Sequence, residues 1–559
     1  MLAKKHISVI IVLLLMVIAT AMIAPSVSAQ GRTPPTLTPT ATATKVPPTA
    51  VKVVPTATAV PPTAVKVAPT ATSVPPTATK VPPTATKVPT ATPAPKKPLV
   101  VNACATCQTW SSSITYYTSS ATDSVSGLSI TYYNGATTYI AGPLSLPAHK
   151  AGSLNIGSTS VPAGFAGSAV LTSDVPIVAT YVQIANAPEN VNFPRMMYSA
   201  FTADVGGSTF YVPTILNSAF GTTSRVGIQN ISDATISANL RFYAVGSVSP
   251  TLNVTKTILS QASFVFLASD AATLGGGGLP AGFNGSLVIS ASGGTAPKVV
   301  ASSEETADAG RGATAFEGLA SGANKFYMPT MLCNFGANSA TSNYAIQNTS
   351  LVSTANVTIS YYNTSGGLIT TSPSLPVGAA NKISRNPCTD GVPNGTSGSA
   401  VINATGAPII AIGKVAGTDG LKTAFTGIST GSTKVAAAYI RWAADTTTDF
   451  RSNIAIMNVG TSNATNIVAK YYDNAGNVYT ENVATGANPL GSLIKRNTNP
   501  TTAGAPVGFG ITPAFGGAVE ITSDQPIAVV IRNAKDVSPA LDSGTITKFG
   551  EDYNAVTVP

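Results

Sequence analysis

The chain has 559 residues, several times the size of one domain, so more than one hydrophobic core is expected. Charged residues make up only 9%, against roughly 25% in ordinary globular proteins, whereas 44% are hydrophobic and Gly and Pro number 49 and 41, a balance that favours strands and turns over helices. The net charge of +9 is a matter of position: Lys4, Lys5, Arg32, Lys45, Lys52, Lys66, Lys80, Lys87, Lys96 and Lys97 all precede Asp123, the first acidic residue, and 31 basic residues less those ten leave 21 against 22 acidic ones. A nucleic-acid binder gathers basic residues on one folded face with aromatics between them, and no such cluster occurs, so no nucleic-acid partner is expected.

Lys4 and Lys5 precede an apolar run over 7–24, and Val27-Ser28-Ala29 supplies the small-x-small pattern of a signal-peptidase site, with cleavage between Ala29 and Gln30. Residues 1–29 are therefore read as an export signal, which makes the protein extracellular or cell-surface. A run of about 18 residues also suffices to cross a bilayer if left uncut, so the alternative is an uncleaved anchor, the single route by which a membrane enters this reading.

Residues 30–98 form a low-complexity, Pro/Thr-rich stretch. Over 46–87 it repeats every seven residues, as in Val46-Pro47-Pro48-Thr49-Ala50-Val51-Lys52 and Val81-Pro82-Pro83-Thr84-Ala85-Thr86-Lys87. A coiled coil is excluded, because proline in every unit removes a backbone donor and clashes with the preceding turn. Extended polyproline II at about 3.1 Å per residue remains, a disordered stalk able to reach on the order of 200 Å. Thr beside Pro is the composition of O-glycosylated stalks, and the spaced lysines suit anionic wall polymers; a passive linker explains the same residues.

Beyond Pro98 one pattern returns about every 110 to 120 residues, which divides the remainder into units over 99–205, 206–322, 323–432 and 433–559. A paired aromatic recurs as Tyr132-Tyr133, Phe242-Tyr243, Tyr361-Tyr362 and Tyr471-Tyr472. Each precedes a turn former, such as Asn134-Gly135 or Asp473-Asn474-Ala475-Gly476, and so predicts a hairpin. One ring of each pair is expected in the core and the other outside. Upstream lies a strand ending in Gln229-Asn230, Gln347-Asn348 or Met457-Asn458, replaced in the first unit by Ser113-Ile114-Thr115-Tyr116-Tyr117. Downstream come two short apolar strands with a Pro-containing turn between them, opening on Gly167-Ser168, Gly285-Ser286, Gly398-Ser399 and Gly517-Ala518. Proline in Phe210-Tyr211-Val212-Pro213-Thr214 and Phe326-Tyr327-Met328-Pro329-Thr330 places those strands at sheet edges.

Six to eight short strands per unit is the pattern of an antiparallel β-sandwich. The arrangement resembles the tandem immunoglobulin-like repeats of bacterial cell-surface and adhesin-type proteins that sit behind a Thr/Pro stalk. The resemblance implies an all-β fold, extracellular location and an adhesive or structural role, with neutral modules whose repetition adds reach. It supplies no catalytic residues.

Four cysteines in an exported chain are expected to pair, Cys333 with Cys388 and Cys104 with Cys107. The former bond closes about 56 residues and contributes about 4 kcal/mol in the chain-entropy model. Cys104 and Cys107 lack the further ligands of a zinc site and the strand-to-helix setting of a redox motif. His6 falls in the signal, and His149 reads as an exposed turn residue, so triads and histidine-based metal sites are not expected. Glu304 and Glu305 are adjacent, which on a strand aims them at opposite faces; they read as solvated loop carboxylates rather than a glycosidase pair. Asp473-Asn474-Ala475-Gly476-Asn477 resembles a calcium loop but lacks the later glutamate, and a hairpin turn accounts for it. No cofactor or metal is called for, and a non-enzymatic structural or adhesive role is the leading expectation. The alternative is binding of cell-wall or extracellular polysaccharide by outward aromatics, with Trp442, Tyr117 and Tyr133 as candidates; other surface proteins are the remaining partners, and a polysaccharide hydrolase is the weakest reading.

Overall fold

The computed structural model describes residues 110–185, 194–202, 204–307, 312–443, 450–498, 514–541 and 546–559, all of which belong to one compact unit. The expected signal, stalk and Cys104–Cys107 bond lie outside them. The fold is all-β, in antiparallel sheets, with a single turn of 3-10 helix at Ile156–Ser158 and one short α-helix at Ala271–Leu274 among the described residues.

The ladders fall into four consecutive sets that pair only within themselves. In the second, a sheet ordered Leu252–Ile258, Ile236–Ala244, Phe283–Ser292, Thr209–Asn217 packs on one ordered Ser263–Leu267, Thr222–Asn230, Val299–Ala307, Ala313–Glu317. Phe242 and Phe266 meet edge to face across the layers at 5.7 Å. The third set repeats this order with Ala355–Asn363 and Thr396–Thr405 in one sheet and Thr341–Asn348 and Ile409–Ala416 in the other. The strands with Pro213 and Pro329 do stand at sheet edges, where a missing N–H costs no ladder bond. Each aromatic pair leads into a hairpin, Val125–Asn134 with Thr137–Leu146 and Ile467–Asp473 with Val478–Ala484 among them.

The Pro-containing turn is not a hairpin. Phe283–Ser292 and Val299–Ala307 lie in different sheets, so the turn carries the chain across the sandwich. In the last set no turn intervenes: Ala514–Leu541 runs through as one strand, pairing with Ile467–Asp473 before Pro526 and with Phe450–Asn458 after it.

The recurrent glycine has a steric cause. A Cβ on Gly167, Gly285, Gly398 or Gly517 would fall on the carbonyl oxygen of Tyr133, Tyr243, Tyr362 or Tyr472, the second aromatic of its own set. Backbone obstructs each, so no rotamer change relieves it. Gly398→Ala is expected to destabilise the protein by about 1–3 kcal/mol, as overpacking does, and chemical denaturation reads it; an unchanged midpoint would show that the strands can part.

The recurrent Asn is a connector clamp. Asn348 donates to the carbonyls of Ser353 (2.6 Å) and Val377 (2.9 Å) while its Oδ1 accepts from the Ser350 N–H (2.9 Å). Asn230 and Asn458 bind their own loops in the same way. Tyr132, Phe242, Tyr361 and Tyr471, the first of each pair, are core residues. The second ring stays half-buried at Tyr133 and Tyr362, but Tyr243 and Tyr472 are buried, because a neighbouring set covers them. His149 of the first set stacks on Tyr472 at 4.7 Å, and Tyr243 belongs to the core cluster of the third set.

The sets are therefore not spacers in a row. The last strands of the first three sets, Arg195–Ser199, Ala313–Glu317 and Lys422–Thr426, and the last long strand of the fourth, Ile546–Asn554, pack each on the next and the fourth on the first. The terminal residues of these strands close a hydrogen-bonded circuit. Glu317 accepts from the Ser199 N–H (2.7 Å) and the Thr426 hydroxyl (2.6 Å), and Asn554 donates to the Thr426 carbonyl (2.7 Å) and accepts at its own carbonyl from the Ser199 hydroxyl (2.6 Å). Nor are the sets uncharged where they meet. Arg195 pairs with Glu551 at 2.9 Å and Lys414 with Glu305 at 2.6 Å across set boundaries. A closed arrangement gives up reach for fixed mutual orientation.

Candidate functional site

Three residues singled out in the sequence, Tyr117, His149 and Glu305, serve the interfaces. Tyr117 is fully buried and donates to Glu520 Oε1 (3.1 Å) of the last set, and Trp442 is only 9% exposed under the Arg451 guanidinium, 4.3 Å above its ring. Neither is a surface platform for a sugar. Tyr133 is half-buried against the first core. His149 is not a free turn residue: it takes φ 53°, its ring lies on Tyr472, and Nδ1 is 3.2 Å from the Tyr117 hydroxyl.

Glu304 and Glu305 sit within a strand and are buried rather than solvated. They do separate as neighbours on a strand must, Glu304 binding Arg225 (Nε–Oε2 2.8 Å) and Glu305 binding Lys414. Burial pushes the Glu304 carboxyl up and Arg225 draws it back. Asp473 holds its hairpin through Asn477 N (2.6 Å), the turn role expected of it. Cys333 and Cys388 are bonded. Among the described residues no three His, Cys, Asp or Glu side chains converge as metal ligands would.

The concave feature with the most chemistry lies where the edge strand Thr209–Asn217 of the second set covers the sheet of the third. It is a cleft of about 400 Å³, lined by Thr214, Leu216 and Glu305 of the second set and by Lys382, Lys414 and Lys422 of the third. The pairing of Thr341–Asn348 with both Lys382–Arg385 and Ile409–Ala416 fixes the lysines in position. Glu305 neutralises Lys414, whose ammonium also stands 5.6 Å from the Phe316 ring centre. Among the described residues no carboxylate pairs with Lys382 in this way. Its Nζ donates to Thr214 Oγ1 at 2.8 Å, and the residue is 2% exposed. Burial, with Lys414 nearby, pushes its ammonium down to about 7, Glu305 opposing.

A smaller cleft of about 220 Å³ recurs between the third and fourth sets, with Thr330 and Leu332 above Asn453, Lys495 and Arg532. Lys495 is likewise buried and pushed down to about 7, by burial and then by Arg532. There Arg532 is held by Asp552 at 2.6 Å, as Lys414 is held by Glu305 in the larger cleft.

The chain matches no family model, no curated protein and no solved structure. The cleft thus stands on its geometry. Sequence reasoning missed Lys382 and Lys495 because a lysine at an alternating strand position reads as solvent-facing. Their only signal is rarity: in a chain with 9% charged residues, a lysine inside a strand-forming run such as Lys382-Ile383-Ser384-Arg385 is conspicuous.

Proposed function

We propose that this chain is an exported, non-enzymatic cell-surface protein, in which four immunoglobulin-like units form a rigid head behind a Pro/Thr-rich stalk and act structurally or adhesively. The supporting observation is the circuit of Ser199, Glu317, Thr426 and Asn554, which ties the last long strand of every set to its neighbours. A head locked in this way presents its outer loops in fixed relation, so that several weak contacts with a polysaccharide or another surface protein act together. With Tyr117 and Trp442 buried, recognition falls to polar loops and clefts rather than aromatic platforms.

Cell fractionation with N-terminal sequencing tests the location. A chain beginning at Gln30 outside the cell, or an intact Met1 in the membrane fraction, is the expected result. An intact chain confined to the cytoplasm would overturn the proposal.

A further inference from the structure

We infer that the cleft between the second and third strand sets binds the carboxylate of a small organic acid, held by Lys382 and Thr214. This goes beyond the surface role and does not depend on it.

Three observations carry the inference. The first is a built donor pair: Lys382 Nζ and the Thr214 hydroxyl stand 2.8 Å apart on facing walls, side by side as the two oxygens of one carboxylate require. The second is an unbalanced charge. The ion pair of Lys414 and Glu305 is complete, and the described wall gives Lys382 a hydroxyl but no anion, although it is almost wholly buried. A buried ammonium without a counter-ion is costly, so the empty cleft holds its proton weakly, and an incoming monoanion offsets that cost. The third is capacity: about 400 Å³ lies within the roughly 300–1,000 Å³ of small-molecule sites, and Leu216 and Val415 provide apolar wall for the body of the ligand.

The donor set favours a carboxylate over a phosphate. Of the three lysines in the lining Lys414 is paired with Glu305 and Lys422 is only half-buried, which leaves Lys382 as the one fully buried cation without an acidic partner; the Glu305 carboxylate repels a dianion, and there is no arginine fork or helix N-terminus in the lining to meet three phosphate oxygens. Lys422, at the rim, adds attraction for an approaching anion.

Binding should draw in a proton, since Lys382 is pushed down to about 7 when the cleft is empty and the carboxylate favours its charged form. The test is calorimetric titration of the full chain at pH 8 with sodium glucuronate, sodium butyrate and sodium phosphate separately, in two buffers of different ionisation enthalpy. Saturable binding of glucuronate identifies a sugar acid, and of butyrate an aliphatic acid. Either, with proton uptake and a loss of at least tenfold in affinity in Lys382→Met, supports the inference. Lys495→Met, in the other cleft, should bind as the parent does. Lys382→Met removes a buried charge and is expected to fold, which its thermal transition verifies. No binding of either acid, binding unchanged in Lys382→Met, or preference for phosphate over both would overturn the inference.

Discussion

Arg195→Met is expected to lower the free energy of unfolding by about 3–5 kcal/mol, the usual cost of breaking a buried ion pair from one side. Arg195 crosses from the first set to the last, giving Nε to Glu551 Oε2 (2.9 Å) and Nη2 to both Glu551 Oε1 (3.2 Å) and the Tyr439 hydroxyl (3.0 Å). Its guanidinium also lies 4.6 Å over the Phe450 ring. The arginine side chain is 8% exposed and the glutamate 0%, so water cannot replace either partner without opening the interface. Burial pushes the Glu551 carboxyl up and Arg195 is the main group drawing it down. In Arg195→Met that carboxylate must take up a proton or pull water inside. The second arm is Arg195→Met with Glu551→Leu, which removes both charges and is expected to recover most of the loss in a denaturant titration. A double variant as unstable as the single one would show that packing of the arginine stem, not its charge, holds the first set to the fourth.

What was legible in the sequence is local. Asn134-Gly135 fixes a hairpin through the backbone conformations its residues allow, whatever surrounds it, and the prolines at 213 and 329 mark sheet edges because a missing N–H is missing everywhere. The recurrent Gly398 and its equivalents were visible as a repeat, but their cause, the carbonyl of the preceding aromatic strand, lies in tertiary space. A proline turn says that a strand ends, not which sheet receives the next one, so the crossovers could not be read from it. The closure of the four sets was invisible for a further reason. It is made by Ser199, Glu317, Thr426 and Asn554, four different residue types at equivalent places, so no repeated letter announces them. Tyr117 reads as a surface ring in the sequence because its partner Glu520 lies 403 positions away. Lys382 was missed by the same logic, since strand alternation assigns it to solvent until the neighbouring set is laid over it.

Those buried lysines set the pH dependence of the fold. Lys382 and Lys495 are each pushed down to about 7 from an ordinary 10.5, so between those values the unfolded chain binds more protons than the native one. Stability therefore rises with pH across that window, by up to about 1.4 kcal/mol per pH unit for each lysine, and neither contributes a slope below about 7, where both states are charged. The groups facing them act through the same balance. Lys414 deepens the depression of Lys382 and Glu305 opposes it, with Tyr344 and Lys422 also lining that cleft; Arg532 deepens and Asp552 opposes it at Lys495. Buried tyrosines such as Tyr132 and Tyr344, pushed up from 10, work in the other direction: their unfolded forms ionise first, so stability falls above about pH 10. Unfolding free energies measured by denaturant at intervals from pH 7.5 to 9.5 should rise in the parent by about 2 kcal/mol for each lysine. Lys382→Met and Lys495→Met should each remove about half of that rise, and the double variant should be nearly flat. A parent curve without the rise, or a double variant that keeps it, would show that these amines stay protonated in the folded chain, and the proton uptake expected on filling the Lys382 cleft would then be absent as well.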